Sequence, residues 1–485
     1  EIEFLFFLPP LFALYWLGPK RVGWQNGCLL FAGILFYAGW DWRFLPLLWG
    51  GAAVDFVLAR WLADTPDDPA HAGRRRLALG LSLALSLGAL AWFKYLGFFA
   101  QSMGALLNAL GLAASLPILR VALPLGISFW TLQRIGYMVD VYYGRIPACR
   151  SFWQFALFVT WFPQVTAGPI SRGAQLLPQL ERPRLLSAQG LATAAGTFLL
   201  GYFLKGCVAD WLGARVVDPV FDEEAIYSAA THWIALLSYA VQVFADFAGY
   251  SLLAIGASRA FGLELPMNFN APFLSKSLAE FWGRWHITLN RWLFDYIYGP
   301  LTTGKGWFRG KLDAGLLLVF LASGIWHGAA WGFILWGILH GLGMVAHRNW
   351  DEFYRGLCRR DRAWVARRRT WLYGALAWAL TQGFFVLALL PFRAVSGART
   401  LDFAAGLLGH AGSRGLEMGV TIVAISWIGV FAVALLHLVE LPGWGLRERL
   451  RRVPAPVTGV AFGLLVLWIA VMMPASSGTF IYRAF

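Results

Sequence analysis

The chain has 485 residues, of which 59% are hydrophobic and only 14% are charged, and its mean hydropathy is +0.59. Soluble proteins carry about a quarter charged residues, so the composition excludes an ordinary soluble protein and indicates a polytopic membrane protein. The net charge of +14 is concentrated in a few loops and indicates membrane orientation, because the sequence has no motif for binding nucleic acid.

Apolar stretches of helix-forming length recur along the whole chain. A full membrane span needs about 20 residues, so these stretches predict an all-α fold of about a dozen transmembrane or re-entrant helices. The alternation of apolar and polar positions that is typical of membrane β-barrels is absent from the sequence. The predicted segments are 4–18, 28–40, 44–62, 77–99, 101–118, 151–170, 190–204, 230–256, 312–346, 371–391, 418–440 and 456–473.

Basic clusters predict the orientation of these helices. Residues 20–21, 74–76, 355–369 and 447–452 should be cytoplasmic by the positive-inside rule. Counting spans from these clusters puts both termini on the extracytoplasmic side. No long flexible linker, low-complexity stretch or internal repeat divides the chain. We therefore expect one membrane domain, 1–485, that ends in an extracytoplasmic tail.

His327 lies in an almost wholly apolar run, where an ionisable side chain is costly and needs a reason. The flanking segments, 312–326 and 329–346, are each short for a membrane span. Two short antiparallel helices that meet at Gly324 and Gly328 would hold His327 inside the membrane. Such a broken helix is tolerated where it lines a cavity.

Two roles are open for the His327 side chain on the residues alone. Desolvation favours the neutral imidazole, which is the form that takes a proton from a hydroxyl, so His327 is a candidate general base. A buried neutral imidazole can instead join two helices through hydrogen bonds. His340, thirteen residues further on and near the end of the next predicted helix, is expected to be structural.

A second polar stretch surrounds His286. As one continuous helix it would place Arg284 and Arg291 on one face, with Arg291 and Asp295 as an ion pair four residues apart. Tryptophans that include Trp285 would cover the opposite face. This pattern is typical of an amphipathic helix at the membrane interface, in which His286 is only a residue of the polar face.

Asp246 is another candidate for a charge inside the membrane. Two readings are open: it pairs with an arginine of 284–291 and shapes a cavity, or it satisfies a helix break at Gly249. Lys205 and Asp210 end an apolar segment and are expected to be interfacial anchors. The histidines lack zinc-type spacing and few carboxylates are near them, so no metal site is predicted.

Six stretches, taken together, resemble the membrane-bound O-acyltransferase family, and most closely its bacterial branch of alginate O-acetylation and D-alanyl transfer proteins. Because several motifs of this length follow one another in family order over most of the chain, the resemblance is specific. The stretches are 123–131 (LPLGISFWT), 161–170 (WFPQVTAGPI), 244–251 (FADFAGYS), 268–273 (NFNAPF), 281–286 (FWGRWH) and 324–328 (GIWHG).

The resemblance implies a ring of helices around a central tunnel, with an acyltransferase core at about 120–346. His327 matches the catalytic histidine of the family, and His286 matches the second histidine of this branch. The tail 475–485 resembles the F-x-Y-x-x-F ending of some members, which makes Tyr482 a possible acyl relay. The residues expected to line or support the tunnel are Asp246, Arg284, Arg291, Asp295, Trp285, Trp326 and His340.

The expected reaction is transfer of an acyl group, most simply acetyl from acetyl-CoA, to a hydroxyl presented from the extracytoplasmic side. No bound cofactor is expected. The chain itself is expected in the bacterial cytoplasmic membrane. Because it has no large soluble domain, an extracytoplasmic acetyltransferase is expected as its partner. One alternative is D-alanyl transfer from a carrier-protein thioester. Another is a non-enzymatic transporter, for which paired repeats would be expected.

Overall fold

A computed structural model describes residues 2–112, 122–222, 227–409 and 418–439, together with single positions between 457 and 467. The described residues form helices joined by loops, with no β-strand among them, as the sequence predicts. The predicted relay residue Tyr482 lies outside the described residues. The helices are α1 Ile2–Leu17, α2 Val22–Asp41, α3 Leu45–Asp64, α4 Ala72–Leu90, α5 Leu96–Ala109, α6 Ile127–Tyr142, α7 Phe152–Thr160, α8 Phe162–Val165, α9 Gly173–Leu180, α10 Ala188–Tyr202, α11 Asp218–Asp222, α12 Ala229–Ala260, α13 Leu278–Arg284, α14 Ile287–Leu293, α15 Gly299–Thr303, α16 Leu312–His327, α17 Trp331–Arg360, α18 Ala363–Arg368, α19 Trp371–Ala394, α20 Gly397–Leu407 and α21 Val420–Val439.

The chain folds into two compact units. The first comprises residues 1–198 and 251–266, and the second comprises residues 199–250 and 267–485. The prediction of a single domain over 1–485 therefore stays a prediction.

Five helical paths in the described part of the chain are long and apolar enough to cross a membrane. Two of them join segments that the sequence kept apart. Helix α2 continues through a 3-10 turn, Trp42–Phe44, into α3, and α4 continues through a π-helical turn, Ala91–Tyr95, into α5. The five paths are Val22–Asp64, Ala72–Ala109, Ala188–Asp222, Ala229–Ala260 and Trp371–Ala394.

The predicted segment 151–170 is divided in the structure. The backbone leaves the helical region at Trp161, where φ is −57° and ψ is 106°. Pro163 then lies in the first turn of α8, a position where proline costs no helical hydrogen bond. Two short helices therefore replace the single expected span.

A buried ion pair joins three helices of the first unit. Asp55 of α3 accepts hydrogen bonds from Arg134 Nε of α6 at 2.5 Å and from Ser82 Oγ of α4 at 2.7 Å. Asp55 and Arg134 are both buried, so each charge depends on its partner for solvation. A Cβ atom at Gly51 would lie 2.3 Å from Arg134 Nη1, so this glycine makes the room that the guanidinium occupies.

The second unit contains an antiparallel hairpin of α16 and α17 whose backbones touch. A Cβ atom at Gly324 would lie 2.4 Å from the Phe333 carbonyl oxygen, and one at Gly337 would lie 2.5 Å from the Phe320 carbonyl oxygen. Gly324 therefore faces Gly337, whereas the sequence suggested a meeting at Gly324 and Gly328. The second helix is also longer than predicted, because α17 extends to Arg360 through residues expected to form a loop.

Arg134→Met should lower the free energy of unfolding of the detergent-solubilised protein by about 3–5 kcal/mol, because it leaves the Asp55 carboxylate buried without its counter-charge. Unfolding followed by tryptophan fluorescence measures this loss. The control is Arg60→Met on α3, the helix that carries Asp55; it removes a solvent-exposed pair with Asp64 and should change stability by less than about 1 kcal/mol. Equal losses in the two variants would contradict the prediction.

Candidate active site

The polar stretch around His286 is not one helix. Helix α13 ends at Arg284 and α14 begins at Ile287, and His286 between them has left-handed backbone angles, with φ 42° and ψ 51°. The prediction of a continuous amphipathic helix was therefore wrong. Arg284 and Arg291 lie on two different helices, so the prediction that they share one helical face was also wrong.

Two asparagines hold this break. Asn290 Nδ2 donates to the carbonyl oxygens of Trp282 at 2.7 Å and Trp285 at 2.5 Å. The extended segment that begins at Asn268 adds backbone hydrogen bonds on both sides of the break, from Asn270 N to Arg284 O and from Ile287 N to Asn268 O, each 2.9 Å. Backbone groups that lose their helical hydrogen bonds at the interruption are thus paired within the protein.

Asn268 also orients the His286 ring. His286 is almost completely buried, and its Nδ1 lies 3.3 Å from Asn268 Oδ1, which also accepts from Thr288 Oγ1 at 2.7 Å. An amide oxygen can only accept, so this contact favours the tautomer in which Nδ1 carries the hydrogen and Nε2 is an acceptor. Phe247 of α12 packs edge-on against the ring, with 4.5 Å between ring centroids.

His327 is the last residue of α16 and is buried among aromatic rings. Its ring centroid lies 4.9 Å from that of Trp336, 5.0 Å from that of Trp326 and 5.3 Å from that of Phe392. At a helix C-terminus the backbone dipole favours a positive charge, which is the charge that an imidazole acquires when it accepts a proton. The position therefore suits a proton acceptor.

A second helix interruption follows His327. Gly328 is extended, and α17 begins only at Trp331. Gly332 N donates to the Val395 carbonyl oxygen at 2.9 Å, and a Cβ atom at Gly332 would lie 2.2 Å from the Pro391 carbonyl oxygen. The end of α19 thus packs directly on the start of α17 and fixes the interruption.

One tryptophan brings the two predicted histidines into the same site. The Trp326 ring lies 5.0 Å from the His327 ring and 6.0 Å from the His286 ring. On the other side of His327, Trp336 lies 4.7 Å from the ring of His340. His340 is fully buried in the first half of α17 and not near a helix end, so this part of the prediction was wrong.

Asp246 pairs with a lysine. Lys205 Nζ lies 2.9 Å from Asp246 Oδ1 and 2.5 Å from Asp210 Oδ1, and all three side chains are buried. The expectation that Lys205 and Asp210 are interfacial anchors was therefore wrong. Helix α12 also continues through Gly249, where a Cβ atom would lie 2.8 Å from the Gly201 carbonyl oxygen. This glycine allows close packing and does not break the helix.

The remaining predicted residues lie between α13 and the π-helical turn that follows α14. Arg284 pairs with Glu280 at 2.8 Å on α13, not with Asp246 as one reading proposed. Trp285 is buried and stacks on Phe281, with 5.5 Å between ring centroids. Arg291 is exposed on α14, and Asp295 lies half-buried in the π-helical turn Phe294–Tyr298.

Sequence reasoning missed several residues of this site. Asn268 lies inside a recognised motif but received no role, and nothing distinguished Asn290 from a polar surface residue. Lys205 carried a usable signal, since a cation in an apolar segment requires a counter-charge. Among the described residues, no group of three His, Cys, Asp or Glu side chains could hold a metal ion.

The described part of the chain thus combines helices suited to crossing a membrane with buried imidazoles at two helix interruptions, as in a membrane protein with an internal polar site. The model of the membrane-bound O-acyltransferase (MBOAT) family matches residues 146–388. The chain belongs to this family and is a multi-pass membrane O-acyltransferase, as the motif resemblance implied.

The names of similar proteins agree with this assignment. The chain is 34% identical to a peptidoglycan O-acetyltransferase of Helicobacter pylori, over 79% of this chain and 74% of the relative. It is 33% identical to the probable alginate O-acetylase AlgI of Pseudomonas syringae pv. tomato, over 89% of this chain and 80% of the relative. It is 30% identical to a teichoic acid D-alanyltransferase of Streptococcus thermophilus, over 47% of this chain and 57% of the relative.

Asn290→Ala should lower the free energy of unfolding by about 1–3 kcal/mol, because the Trp282 and Trp285 carbonyl groups lose the side chain that pairs them. Acyl transfer should fall with it, since the break positions His286. The control is Asn349→Ala, an exposed position on α17, which should leave both stability and activity within error. If Asn290→Ala kept wild-type stability and activity, the break would not depend on the Asn290 side chain and the prediction would be wrong.

Proposed function

We propose that this chain moves an acetyl group from acetyl-CoA at the cytoplasmic face to a hydroxyl on the extracytoplasmic face, for O-acetylation of a cell-surface or secreted polysaccharide. The observation that carries the proposal is the burial of His327 at the end of α16, with Trp326 in contact with both His327 and His286. The O-acetyltransferases among the relatives support acetyl as the transferred group.

In the proposed reaction His327 removes the proton from the acceptor hydroxyl. The resulting alkoxide attacks the thioester carbonyl carbon, and the tetrahedral intermediate then expels the CoA thiolate, which takes the proton from the imidazolium. His327 is thereby returned to its neutral form. The C-terminal end of α16 supports the charged intermediate form of His327.

We assign His286 to holding the acceptor through a hydroxyl next to the one that reacts, because the single hydrogen of the reacting hydroxyl goes to His327. With its hydrogen on Nδ1 toward Asn268, its Nε2 accepts hydrogen bonds and is therefore suited to a hydroxyl and not to an oxyanion. The oxyanion of the tetrahedral intermediate needs separate donors.

The arginines at the end of α17 and on α18 are proposed to face the cytoplasm. Most of their side chains are exposed, and they would raise the local concentration of the polyphosphorylated donor. Delivery to the polysaccharide is assigned to an extracytoplasmic partner acetyltransferase. The proposed location is the bacterial cytoplasmic membrane, with both termini outside.

The supporting experiment uses the full chain in liposomes with labelled acetyl-CoA inside and a soluble oligosaccharide acceptor outside. His327→Ala should reduce acetyl transfer by at least about 100-fold, the scale on which loss of a general base acts. His71→Ala is the control, because His71 lies on an exposed loop and pairs with Asp68. Unchanged transfer in the His327 variant would refute the proposed base.

The same assay separates the donor classes. A D-alanyl carrier-protein thioester replaces acetyl-CoA, a comparison that the D-alanyltransferase relatives make necessary. Transfer from the carrier protein alone would replace the acetyl proposal with D-alanyl transfer. Absence of covalent product from either donor would reject both donor proposals.

Tyr482 is proposed to carry the acyl group outward from the site. Tyr482→Phe removes the only oxygen of that side chain, so an acyl adduct on the C-terminal peptide should disappear, and acetyl transfer through the tail should stop with it. Mass spectrometry of the tail measures the adduct. An adduct of unchanged yield in this variant would exclude Tyr482 as the carrier.

A further inference from the structure

Three aromatic side chains, one of which packs on His327, carry buried nitrogen atoms with no hydrogen-bond partner among the described residues. His340, Trp336 and Trp282 are 0%, 3% and 7% exposed. Within the described part of the chain, both ring nitrogens of His340 and the Nε1 atoms of Trp282 and Trp336 have no hydrogen-bond partner.

These three rings form one cluster, which we call the indole–imidazole cluster. The His340 ring centroid lies 4.7 Å from that of Trp336 and 4.9 Å from that of Trp282, and the two indoles lie 5.7 Å apart. Trp336 is also the ring that packs on His327, at 4.9 Å. The unsatisfied nitrogens therefore lie one aromatic ring away from the proposed base.

Packing alone does not account for these residue types. The other rings around His340 are those of Phe320, Phe384 and Phe385, so the surroundings are apolar. A buried polar atom without a partner costs about 1–3 kcal/mol, and a phenylalanine or leucine in the same place would avoid that cost. Four such atoms on three rings that contact one another indicate a bound polar group.

The chemistry of the four nitrogens defines that group. Each indole Nε1 is a donor only, and a neutral imidazole supplies one donor and one acceptor. The cluster therefore offers three N–H donors against a single acceptor. Its complement is an oxygen atom that accepts hydrogen bonds.

We propose that the indole–imidazole cluster is a binding site for an oxygen acceptor used in acyl transfer, either the carbonyl oxygen of the acyl group or an ordered water molecule. This inference rests on the proposed function. When the alkoxide attacks, the C=O π bond becomes a lone pair on oxygen, and it re-forms as the C–S bond breaks. Donors at that oxygen stabilise the charge that develops between the two steps.

The decisive comparison is His340→Gln against His340→Leu, two side chains of similar size and opposite polarity. In an occupied polar site, glutamine keeps a donor for the oxygen, so kcat should stay within about 10-fold of wild type, whereas leucine should lose about 100-fold with KM little changed. In a dry aromatic core, glutamine buries an unpaired amide and leucine is the better residue. Leucine equal to or better than glutamine in kcat would overturn the proposal.

Stability gives a readout that does not depend on the donor. The thermal unfolding midpoint of the full chain in detergent should be higher for His340→Gln than for His340→Leu if the site holds an oxygen acceptor. The reverse order would reject the site even if acetyl-CoA is not the donor. The control for the intrinsic effect of the two residues is the same pair of substitutions at His232, a half-buried histidine whose Nδ1 donates to the Ser228 carbonyl oxygen.

Two CoA analogues distinguish the acyl carbonyl from water. One is the ketone analogue of acetyl-CoA, in which a methylene group replaces the thioester sulfur, and the other is S-ethyl-CoA, which lacks the carbonyl. If the carbonyl occupies the cluster, wild type should bind the ketone about 10-fold more tightly, and Trp336→Phe and His340→Leu should abolish the difference. If water occupies the cluster, the ratio of the two analogue affinities should be the same in wild type and in both variants. His340→Gln should then still have a higher kcat than His340→Leu.

Failure of this inference is distinguishable from failure of the proposed function. If wild type transfers acetyl groups and His327→Ala does not, but leucine at 340 matches glutamine in both kcat and stability, the general base stands and the cluster is only packing. If wild type shows no acetyl transfer, the donor assignment fails, and the order of the two unfolding midpoints still decides whether the cluster holds an oxygen acceptor.

Discussion

The site depends on one constraint, which is that backbone polar groups of an interrupted helix must find partners inside the protein when the surroundings are apolar. His286 and His327 both lie at such interruptions. At the first, Asn290 and the segment from Asn268 supply the missing partners. At the second, Gly332 N donates to a carbonyl oxygen at the end of α19. Continuous helices would leave neither imidazole at a helix end.

The interruptions also explain the density of tryptophan around the site. A large flat ring fills the irregular space beside a broken helix, and it brings one polar N–H into an otherwise apolar wall. Trp326 and Trp336 contact His327 on two sides, and each also contacts a further histidine. Glycine backbones in close contact, as at Gly324 and Gly337, let α16 and α17 approach each other.

Buried charges perform a different task from the buried imidazoles. Asp55 with Arg134, and Lys205 with two aspartates, join helices through short ion pairs in which each charge depends on its partner. Loss of one partner is costly, so such pairs specify how helices associate. An imidazole, by contrast, can exist in a neutral or a charged form and can therefore exchange a proton during a reaction. The fold thus separates permanent charges, which hold helices together, from groups that can exchange protons.

The sequence by itself determined the membrane class, the all-α fold, the family and the candidate histidines, because hydropathy and ordered motifs are local properties of the chain. It did not determine the partner of Asp246 or the role of Gly249, because Lys205 and Gly201 are distant in sequence and meet these residues only in the folded protein. The break at His286 was missed because helical periodicity continues through it, and only the hydrogen bonds from Asn268 and Asn290 make the interruption stable. Tertiary structure decided these points because they depend on contacts between separate helices, which a linear pattern does not contain.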